Sequence, residues 1–128
     1  MLLWSGLARV VVESGYEYAI GCVSVNLSDG HANAVAVYRE SAAKCLAPVE
    51  YRVFPKQPYP LRELHAVESP TPPRLPALLK GYMRLGAWIG GEPAWDADFN
   101  TADLFILLPI ARISGAYSRH FFGADKEA

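Results

Sequence analysis

The fold is decided by two stretches of sequence, Leu75-Pro-Ala-Leu-Leu-Lys-Gly-Tyr-Met-Arg-Leu-Gly-Ala87 and Phe99-Asn-Thr-Ala-Asp-Leu-Phe-Ile-Leu-Leu108. In the first, apolar side chains recur at helical spacing, and Lys80 and Arg84 lie four residues apart on one polar face. The second opens with polar residues and continues after Asp103 as an apolar run, which is typical of a buried strand. We therefore predict a helix over 76–87 and a strand over 102–108.

Around these two elements the chain alternates between helical and strand spacing. The spacing predicts further helices and strands, namely helices over 3–14, 31–46 and 114–122, and strands over 16–25, 51–54 and 93–95. Six prolines between residues 55 and 73 predict an extended connection. This order of elements predicts an α/β fold, with a single domain over 1–122 and a flexible tail over 123–128.

The composition is that of a globular protein, because 52% of the 128 residues are hydrophobic and 20% are charged. A net charge of −1 gives no reason to expect nucleic acid as a partner. The apolar N-terminal segment is interrupted by Arg9 and Glu13, which argues against a membrane span there. We expect a cytoplasmic protein that is able to contact a membrane surface peripherally.

The cysteines and histidines do not predict a metal site or a hydrolase. Cys22 and Cys45 are expected to be reduced, buried thiols, and the three histidines show no metal-ligand spacing with them. No Gly-x-Ser-x-Gly motif is present, and no cysteine–histidine catalytic pair is visible. We therefore predict no metal ion.

Lys80 and Arg84 belong to a stretch that contains cations and no carboxylates. No Asp or Glu occurs between Glu68 and Glu92, and Arg74 adds a third positive charge. Cations concentrated in this way are suited to binding a phosphodiester or the acidic surface of a protein. The alternative is a solvated helix face without a ligand.

Two carboxylates lie next to the predicted strands and are candidates for contact with a substrate amine. Asp103 enters the second strand quoted above, where it can orient an amine or accept its proton. Alternatively, it caps backbone amides or pairs with Arg84. Asp29 follows the strand over 16–25, where it can hold an ammonium group or simply form a turn with Asn26 and Ser28.

The segments quoted so far resemble the C-terminal half of the ornithine-lipid type N-acyltransferases, the hemolysin-like branch of the GNAT and autoinducer-synthase superfamily. The likeness is carried by the helix with Lys80 and Arg84 and by the Phe-x-Thr-Ala-Asp segment at 99–103. It extends over almost the whole chain through four further segments, Met1-Leu-Leu-Trp-Ser-Gly-Leu-Ala-Arg9, Gly15-Tyr-Glu-Tyr18, Ile20-Gly-Cys-Val-Ser24 and Ala47-Pro-Val-Glu-Tyr-Arg-Val-Phe-Pro55.

The resemblance implies a GNAT-like fold with a mixed sheet and an N-acyltransferase activity. In that reaction a (3-hydroxy)acyl group moves from acyl carrier protein to the α-amino group of ornithine, in lyso-ornithine lipid biosynthesis. The co-substrate is an acyl-phosphopantetheine thioester, carried by acyl carrier protein or by CoA, and no tightly bound cofactor is needed. The amine attacks the thioester, backbone amides stabilise the oxyanion, and an acid protonates the leaving thiol.

The same resemblance implies roles for individual residues. Ser24 and Thr101 are expected to bind the amino-acid substrate, and Lys80 and Arg84 the carrier protein. Asp29 is added to the substrate-binding residues from its position after the strand over 16–25 and not from the resemblance. Asp103 is the candidate catalytic carboxylate. Asn33-Ala-Val-Ala-Val-Tyr38 resembles the GNAT helix that ends in a tyrosine, so Tyr38 is the candidate acid for the leaving thiolate. Alternatively, Tyr38 is a core residue.

The early strands and the donor-binding loop of the family have no counterpart in the sequence, where no Arg/Gln-x-x-Gly-x-Gly/Ala segment precedes a helix. We therefore expect a truncated form with an exposed sheet edge and an exposed apolar face. Two alternatives stay open at this point. One is an acetyl-CoA-dependent N-acetyltransferase or an acyl-homoserine-lactone synthase-like enzyme, and the other is an inactive fragment or a half-protein that needs a partner.

Overall fold

A computed structural model describes residues 2–28, 30–61 and 72–112. The helices and strands that position the site follow one another as α1 (Leu2–Glu13), β1 (Tyr18–Asn26), α2 (Ala32–Cys45), α3 (Ala77–Arg84), β2 (Trp88–Ile89), β3 (Ala94–Asp96) and β4 (Thr101–Pro109). Six predicted elements are thereby confirmed within three residues at each end, namely those over 3–14, 16–25, 31–46, 76–87, 93–95 and 102–108. The predicted turns over 114–122 and the tail over 123–128 lie outside the described residues.

β4 is the central strand of the sheet. It pairs along its full length with β1, from Tyr18 opposite Pro109 to Asn26 opposite Thr101. Its other edge pairs with β2 and with β3. These pairings are antiparallel, and an isolated parallel bridge joins Leu46 to the β2 residue Ile89. The predicted α/β class is therefore confirmed.

Alternate residues of β1 and β4 point to a buried side of the sheet, which we call the inner face. It carries only apolar side chains at its centre, namely Val23, Val25, Ala102, Leu104, Ile106 and Leu108. Val37 of α2 and Leu79 of α3 belong to the same core, so both helices pack on the inner face. Gly21 lets α3 approach β1 closely, because a Cβ at this position would lie 2.9 Å from the Tyr82 hydroxyl oxygen.

α3 ends earlier than its apolar pattern predicts, and Gly86 explains why. The amide of Ala87 donates to the Tyr82 carbonyl oxygen and that of Gly86 to the Met83 carbonyl oxygen, each at 3.1 Å. This is the Schellman arrangement, which needs a left-handed residue after the helix, and Gly86 supplies it with φ +87°. The chain can then turn directly into β2.

Two local expectations are corrected. The strand predicted over 51–54 is wrong, because a 3-10 turn at Val49–Tyr51 takes its place. It is followed by an extended segment in which the Val53 amide donates to the Gly90 carbonyl oxygen at 3.0 Å. Pro48 and Pro55 flank this segment and have no amide to donate to a ladder. The two-residue strand β2 was not predicted, since so short a run carries no periodicity.

β1 lies at the edge of the described sheet, and apolar side chains of β1 and of α1 are exposed. Ile20 is 70% exposed on β1, and Leu3 and Val10 of α1 are 81% and 66% exposed. The expected exposed edge and apolar face are therefore present. No helix in the described part of the chain is long and apolar enough to cross a membrane.

Candidate functional site

The side of the β1–β4 pair that faces away from the helices, which we call the outer face, carries both polar and apolar side chains. Its residues are the other alternate set of the two strands: Tyr18, Ile20, Cys22, Ser24 and Asn26 on β1, and Thr101, Asp103, Phe105, Leu107 and Pro109 on β4. The polar members gather at the end of the sheet where β1 finishes and β4 begins.

Three residues that were predicted for substrate contact meet at this end. The Ser24 hydroxyl donates to Oδ1 of Asp103 at 2.7 Å, and the Thr101 hydroxyl donates to the same oxygen at 2.8 Å. Ser24 stands directly opposite Asp103 in the β1–β4 register, and Thr101 precedes Asp103 by two residues on the same face. Two hydroxyl donors on one oxygen fix the orientation of the carboxylate. We call Ser24, Thr101 and Asp103 the Asp103 cluster.

The turn between β3 and β4 positions this cluster. The Phe99 amide donates to Oδ1 of Asp96 at 3.0 Å, and Asn100 adopts a left-handed conformation with φ +55°. The Leu27 amide donates to the Asn100 carbonyl oxygen at 3.0 Å and so ties the end of β1 to the start of β4. Thr101 and Asp103 are therefore fixed from both of their neighbouring strands.

The Asp103 carboxylate has one oxygen available for a further hydrogen bond. Its second oxygen, Oδ2, accepts no hydrogen bond from any residue that the structure describes. Ala94, which stands opposite Asp103 on β3, is small, and Asp96 stands opposite Thr101 and adds negative charge. An ammonium group could donate to Oδ2 in a charge-assisted hydrogen bond.

Cys22 lies beside the cluster on the outer face. The expected burial of Cys22 is wrong, because the residue is exposed on the edge strand β1. Partial burial of its thiol nevertheless raises the pKa, and the negative charge of Asp103 raises this pKa further. The thiol is therefore less ionised near neutral pH than an ordinary cysteine. Sequence analysis did not single out Cys22 for the site, although the alternation of β1 places it on the same face as Ser24.

Tyr38 is not brought to the Asp103 cluster. It lies half-buried on α2, which packs on the inner face, whereas the side chains of the Asp103 cluster lie on the outer face. Burial raises the pKa of the Tyr38 hydroxyl, Glu92 raises it further, and Arg52 lowers it. The hydroxyl therefore keeps its proton at neutral pH, as an acid must, and the catalytic role of Tyr38 stays a prediction.

Lys80 and Arg84 both project from α3 and are exposed. Neither forms an ion pair with any side chain in the described ranges, so both charges face solvent. Arg84 does not pair with Asp103, because α3 lies on the inner side of the sheet. Asn33 accepts a hydrogen bond from the Arg74 amide at 2.8 Å, which fixes the segment leading into α3.

The segment after β1 is partly described. Asp29 lies outside the described residues, so its predicted contact with substrate is not placed. Before it, the Ser28 amide donates to Oδ1 of Asn26 at 2.7 Å, which is turn chemistry. After it, Nδ1 of His31 contacts the Tyr59 hydroxyl at 2.5 Å. Among the described residues, no three His, Cys, Asp or Glu side chains group as metal ligands.

An aromatic cluster at the opposite end of the outer face was missed by sequence analysis. The Tyr51 ring lies 5.7 Å from the Tyr18 ring and 5.5 Å from the Trp88 ring, measured between centroids. The Tyr18 and Tyr51 hydroxyls are 3.1 Å apart, and the guanidinium carbon of Arg112 lies 5.2 Å from the Trp88 centroid. The hydrogen bond to Tyr51 raises the pKa of Tyr18. We call Tyr18, Tyr51 and Trp88 the aromatic cluster.

Comparison with known proteins gives one consistent result. The chain is 35% identical to an L-ornithine N(alpha)-acyltransferase of Rhizobium meliloti over 136 aligned residues, which cover 97% of this chain and 43% of that protein. It is 33% identical to the enzyme of the same name from Agrobacterium fabrum, over 95% of this chain and 43% of the relative. A 51-residue segment is 51% identical to the Brucella abortus enzyme of that name and covers 40% of this chain and 18% of that enzyme.

No protein-family model and no solved structure matches the chain. The chain spans less than half the length of the first two relatives. The resemblance to ornithine N-acyltransferases is confirmed, and the chain is related, along nearly its whole length, to part of the L-ornithine N(alpha)-acyltransferases.

Proposed function

We propose that the protein takes part in N-acylation of the α-amino group of ornithine, with an acyl-phosphopantetheine thioester as donor. The names of its relatives and their similarity over 95–97% of this chain support the reaction class. The observation that supports particular residues is the geometry of the Asp103 carboxylate. Two hydroxyls orient it, and its Oδ2 is available to a cation.

In this proposal the Asp103 cluster holds an amine of ornithine. Ser24 and Thr101 occupy Oδ1, so the amine approaches Oδ2 in a defined direction. The α-amine must be neutral to attack the thioester carbonyl, and Asp103 either orients that amine or accepts its proton. The thiolate that leaves takes a proton from an acid, for which Tyr38 is the candidate.

Binding of L-ornithine to the purified chain tests the role of Asp103. A charge-assisted hydrogen bond contributes about 1.5–3 kcal/mol, so Asp103→Asn is expected to weaken binding roughly 10- to 100-fold in an NMR titration. Asp98→Asn is the matched control, because it removes the same charge from an exposed position in the nearby turn. Equal affinity in wild type and Asp103→Asn would contradict the assignment.

Mass spectrometry of the reaction products tests the reaction. Incubation with L-ornithine and 3-hydroxyacyl carrier protein is expected to give N-acylornithine. In parallel incubations, an N-acetylated product formed only with acetyl-CoA as donor, or an acyl-homoserine lactone formed only with S-adenosylmethionine in place of ornithine, would replace the proposal by one of the two related enzyme classes. A chain that binds ornithine but turns it over only with added protein would be the half-protein considered above.

We further propose that Lys80 and Arg84 bind the acidic surface of acyl carrier protein. Both side chains are exposed and carry charges that no described carboxylate neutralises. Changing both to Ala is expected to raise the apparent KM for the carrier several-fold at low salt and less at high salt, because exposed charges are screened. Arg9→Ala with Lys44→Ala removes the same two charges from α1 and α2 and serves as the control. A similar rise of the KM in both double variants would indicate that the carrier responds to net charge and not to Lys80 and Arg84 in particular.

A further inference from the structure

The side chains of the outer face change along its length from polar to apolar and then to aromatic. Starting at the Asp103 cluster, the next cross-strand pair is Cys22 with Phe105, followed by Ile20 with Leu107 and then Tyr18 with Pro109. Trp88 of β2 stands opposite Leu107 and extends the apolar part sideways. We call the stretch from Asp103 to the aromatic cluster the outer strip. Pro109 lies six positions after Asp103 along β4, which gives a length of about 20 Å at roughly 3.4 Å per residue.

The middle of the outer strip is apolar and open to solvent on one side. Ile20 is 70% exposed, and Phe105 is half-buried. The Phe105 ring lies against Gly90, where a Cβ would come within 2.8 Å of the ring and within 2.7 Å of Val53 Cγ2. The absence of a side chain at Gly90 thus lets Phe105 and Val53 lie together along the strip.

The far end of the outer strip offers a concave apolar surface. The rings of the aromatic cluster stand around the end of β1, where Tyr18 and Tyr51 also hydrogen-bond to each other. Beyond them lies an open pocket of about 460 Å³, which is lined by Tyr16, Glu17, Tyr18, Pro109, Ile110 and Ala111. An extended apolar chain that follows the strip would reach this pocket.

We propose that the outer strip binds the acyl chain of the N-acylated amino acid, with the amino-acid head at the Asp103 cluster and the chain running toward the aromatic cluster. This inference rests on the proposed function. The occupant is argued from charge complementarity. In an N-acylornithine the α-nitrogen is an uncharged amide, so the side-chain ammonium is the cation that matches the Asp103 carboxylate, and the acyl chain matches the apolar side chains that follow it.

The exposed apolar stripe of α1 lacks this combination. The α1 stripe carries Leu3, Leu7 and Val10, and the charged residues of α1 are Arg9 and Glu13, which contact each other at 3.9 Å. It therefore offers apolar area without a carboxylate that is open to a cation. The α1 stripe consequently provides a matched surface for the control variants.

The first test measures the affinity of the purified chain for N-acyl-L-ornithines of increasing acyl length, below their micelle concentrations. Each buried methylene is expected to tighten binding up to about fourfold until the strip is filled, after which the affinity levels off. Ile20→Ser is expected to weaken binding of the long-chain ligand several-fold and to leave free ornithine unaffected. Val10→Ser changes a similarly exposed side chain on α1, 66% against 70%, and is expected to change neither affinity.

The second test locates the acyl chain by fluorescence quenching of Trp88. In a Trp4→Phe, Trp95→Phe background, Trp88 is the sole remaining tryptophan of the chain's three. A bromine near the end of the acyl chain is expected to quench Trp88 more strongly than a bromine beside the amide.

Equal quenching by the two bromine positions, or equal effects of Ile20→Ser and Val10→Ser, would overturn the outer strip as the acyl site. Failure of the proposed head contact gives a different result: Asp103→Asn would leave the affinity for free ornithine unchanged. Circular dichroism of each variant establishes that the fold is retained before its binding is compared.

Discussion

The two faces of the β1–β4 pair use the same strands for different purposes. Residues that alternate along one strand point either to the inner face, where Leu104 and Ile106 are 1% and 0% exposed, or to the outer face, where Ser24 and Asp103 hydrogen-bond near solvent. The inner face is uniformly apolar and covered by helices, whereas the outer face changes from a carboxylate to aromatic rings over its length. The comparison teaches that a packed apolar core and an exposed polar cluster can be separated by a single residue along a strand.

The largest expected effect is a loss of stability caused by a substitution on the inner face. Ile106→Ala removes a fully buried side chain and leaves a cavity, so the free energy of unfolding is expected to fall by about 2–5 kcal/mol. Ile20→Ala makes the same chemical change on the outer face at a side chain that is 70% exposed, and is expected to stay within about 0.5 kcal/mol. Urea denaturation of both variants measures the difference. Similar losses of stability would show that the outer face is part of the core.

An intermediate effect is expected from the hydroxyls of the Asp103 cluster. Ser24→Ala and Thr101→Val each remove one donor to Oδ1 and leave the carboxylate charge in place. Such a hydrogen bond contributes about 0.5–1.5 kcal/mol, so ornithine binding is expected to weaken roughly 2- to 10-fold, less than in Asp103→Asn. NMR titration of the variants with ornithine ranks them. A loss as large as that of Asp103→Asn would mean that the hydroxyls bind the ligand directly.

The smallest expected effect concerns the thiol beside the cluster. The raised pKa of Cys22 means that its alkylation by iodoacetamide increases with pH through a range above that of an ordinary thiol. Asp103→Asn removes the neighbouring negative charge, so the pKa falls and the alkylation profile shifts to lower pH, although the larger contribution from burial remains.

Mass spectrometry of the alkylated peptides follows Cys22 and Cys45 separately. Cys45 is half-buried, burial raises its pKa as well, and Asp103 does not contribute to that shift. Its profile is therefore expected to stay the same in Asp103→Asn, and Asp98→Asn is expected to move neither profile. An unchanged Cys22 profile in Asp103→Asn would show that the two side chains are farther apart in solution.

Local pattern predicted most of the secondary structure and failed where the chain is held by distant partners. The apolar alternation of 16–25 and 102–108 and the helical spacing of 31–46 are strong and local, and the corresponding elements are present. The segment over 51–54 has strand-forming residues but becomes a turn and an extended segment that contacts Gly90. β2 forms because it pairs with β4, and a pattern of two residues is too short to predict that pairing.

The candidate site shows the same division. Ser24, Thr101 and Asp103 were each predicted from the sequence, through a resemblance that the comparisons confirm. Their hydrogen bonds to one carboxylate oxygen were not predicted, and neither was the aromatic cluster, whose members come from β1, the 3-10 turn and β2. Tyr38 was grouped with Asp103 as catalytic, but the two lie on opposite sides of the sheet.

The sequence by itself determined which residues lie on the same side of each helix or strand. This is so because the two-residue repeat of a strand and the 3.6-residue repeat of a helix are local properties. Only the tertiary structure decided which sides meet. Ser24 and Asp103 are 79 residues apart in the chain, and their contact depends on the register between β1 and β4, which the packing of the inner face against the helices selects. A shift of that register by one residue would turn Asp103 away from Ser24, although every local pattern would stay the same.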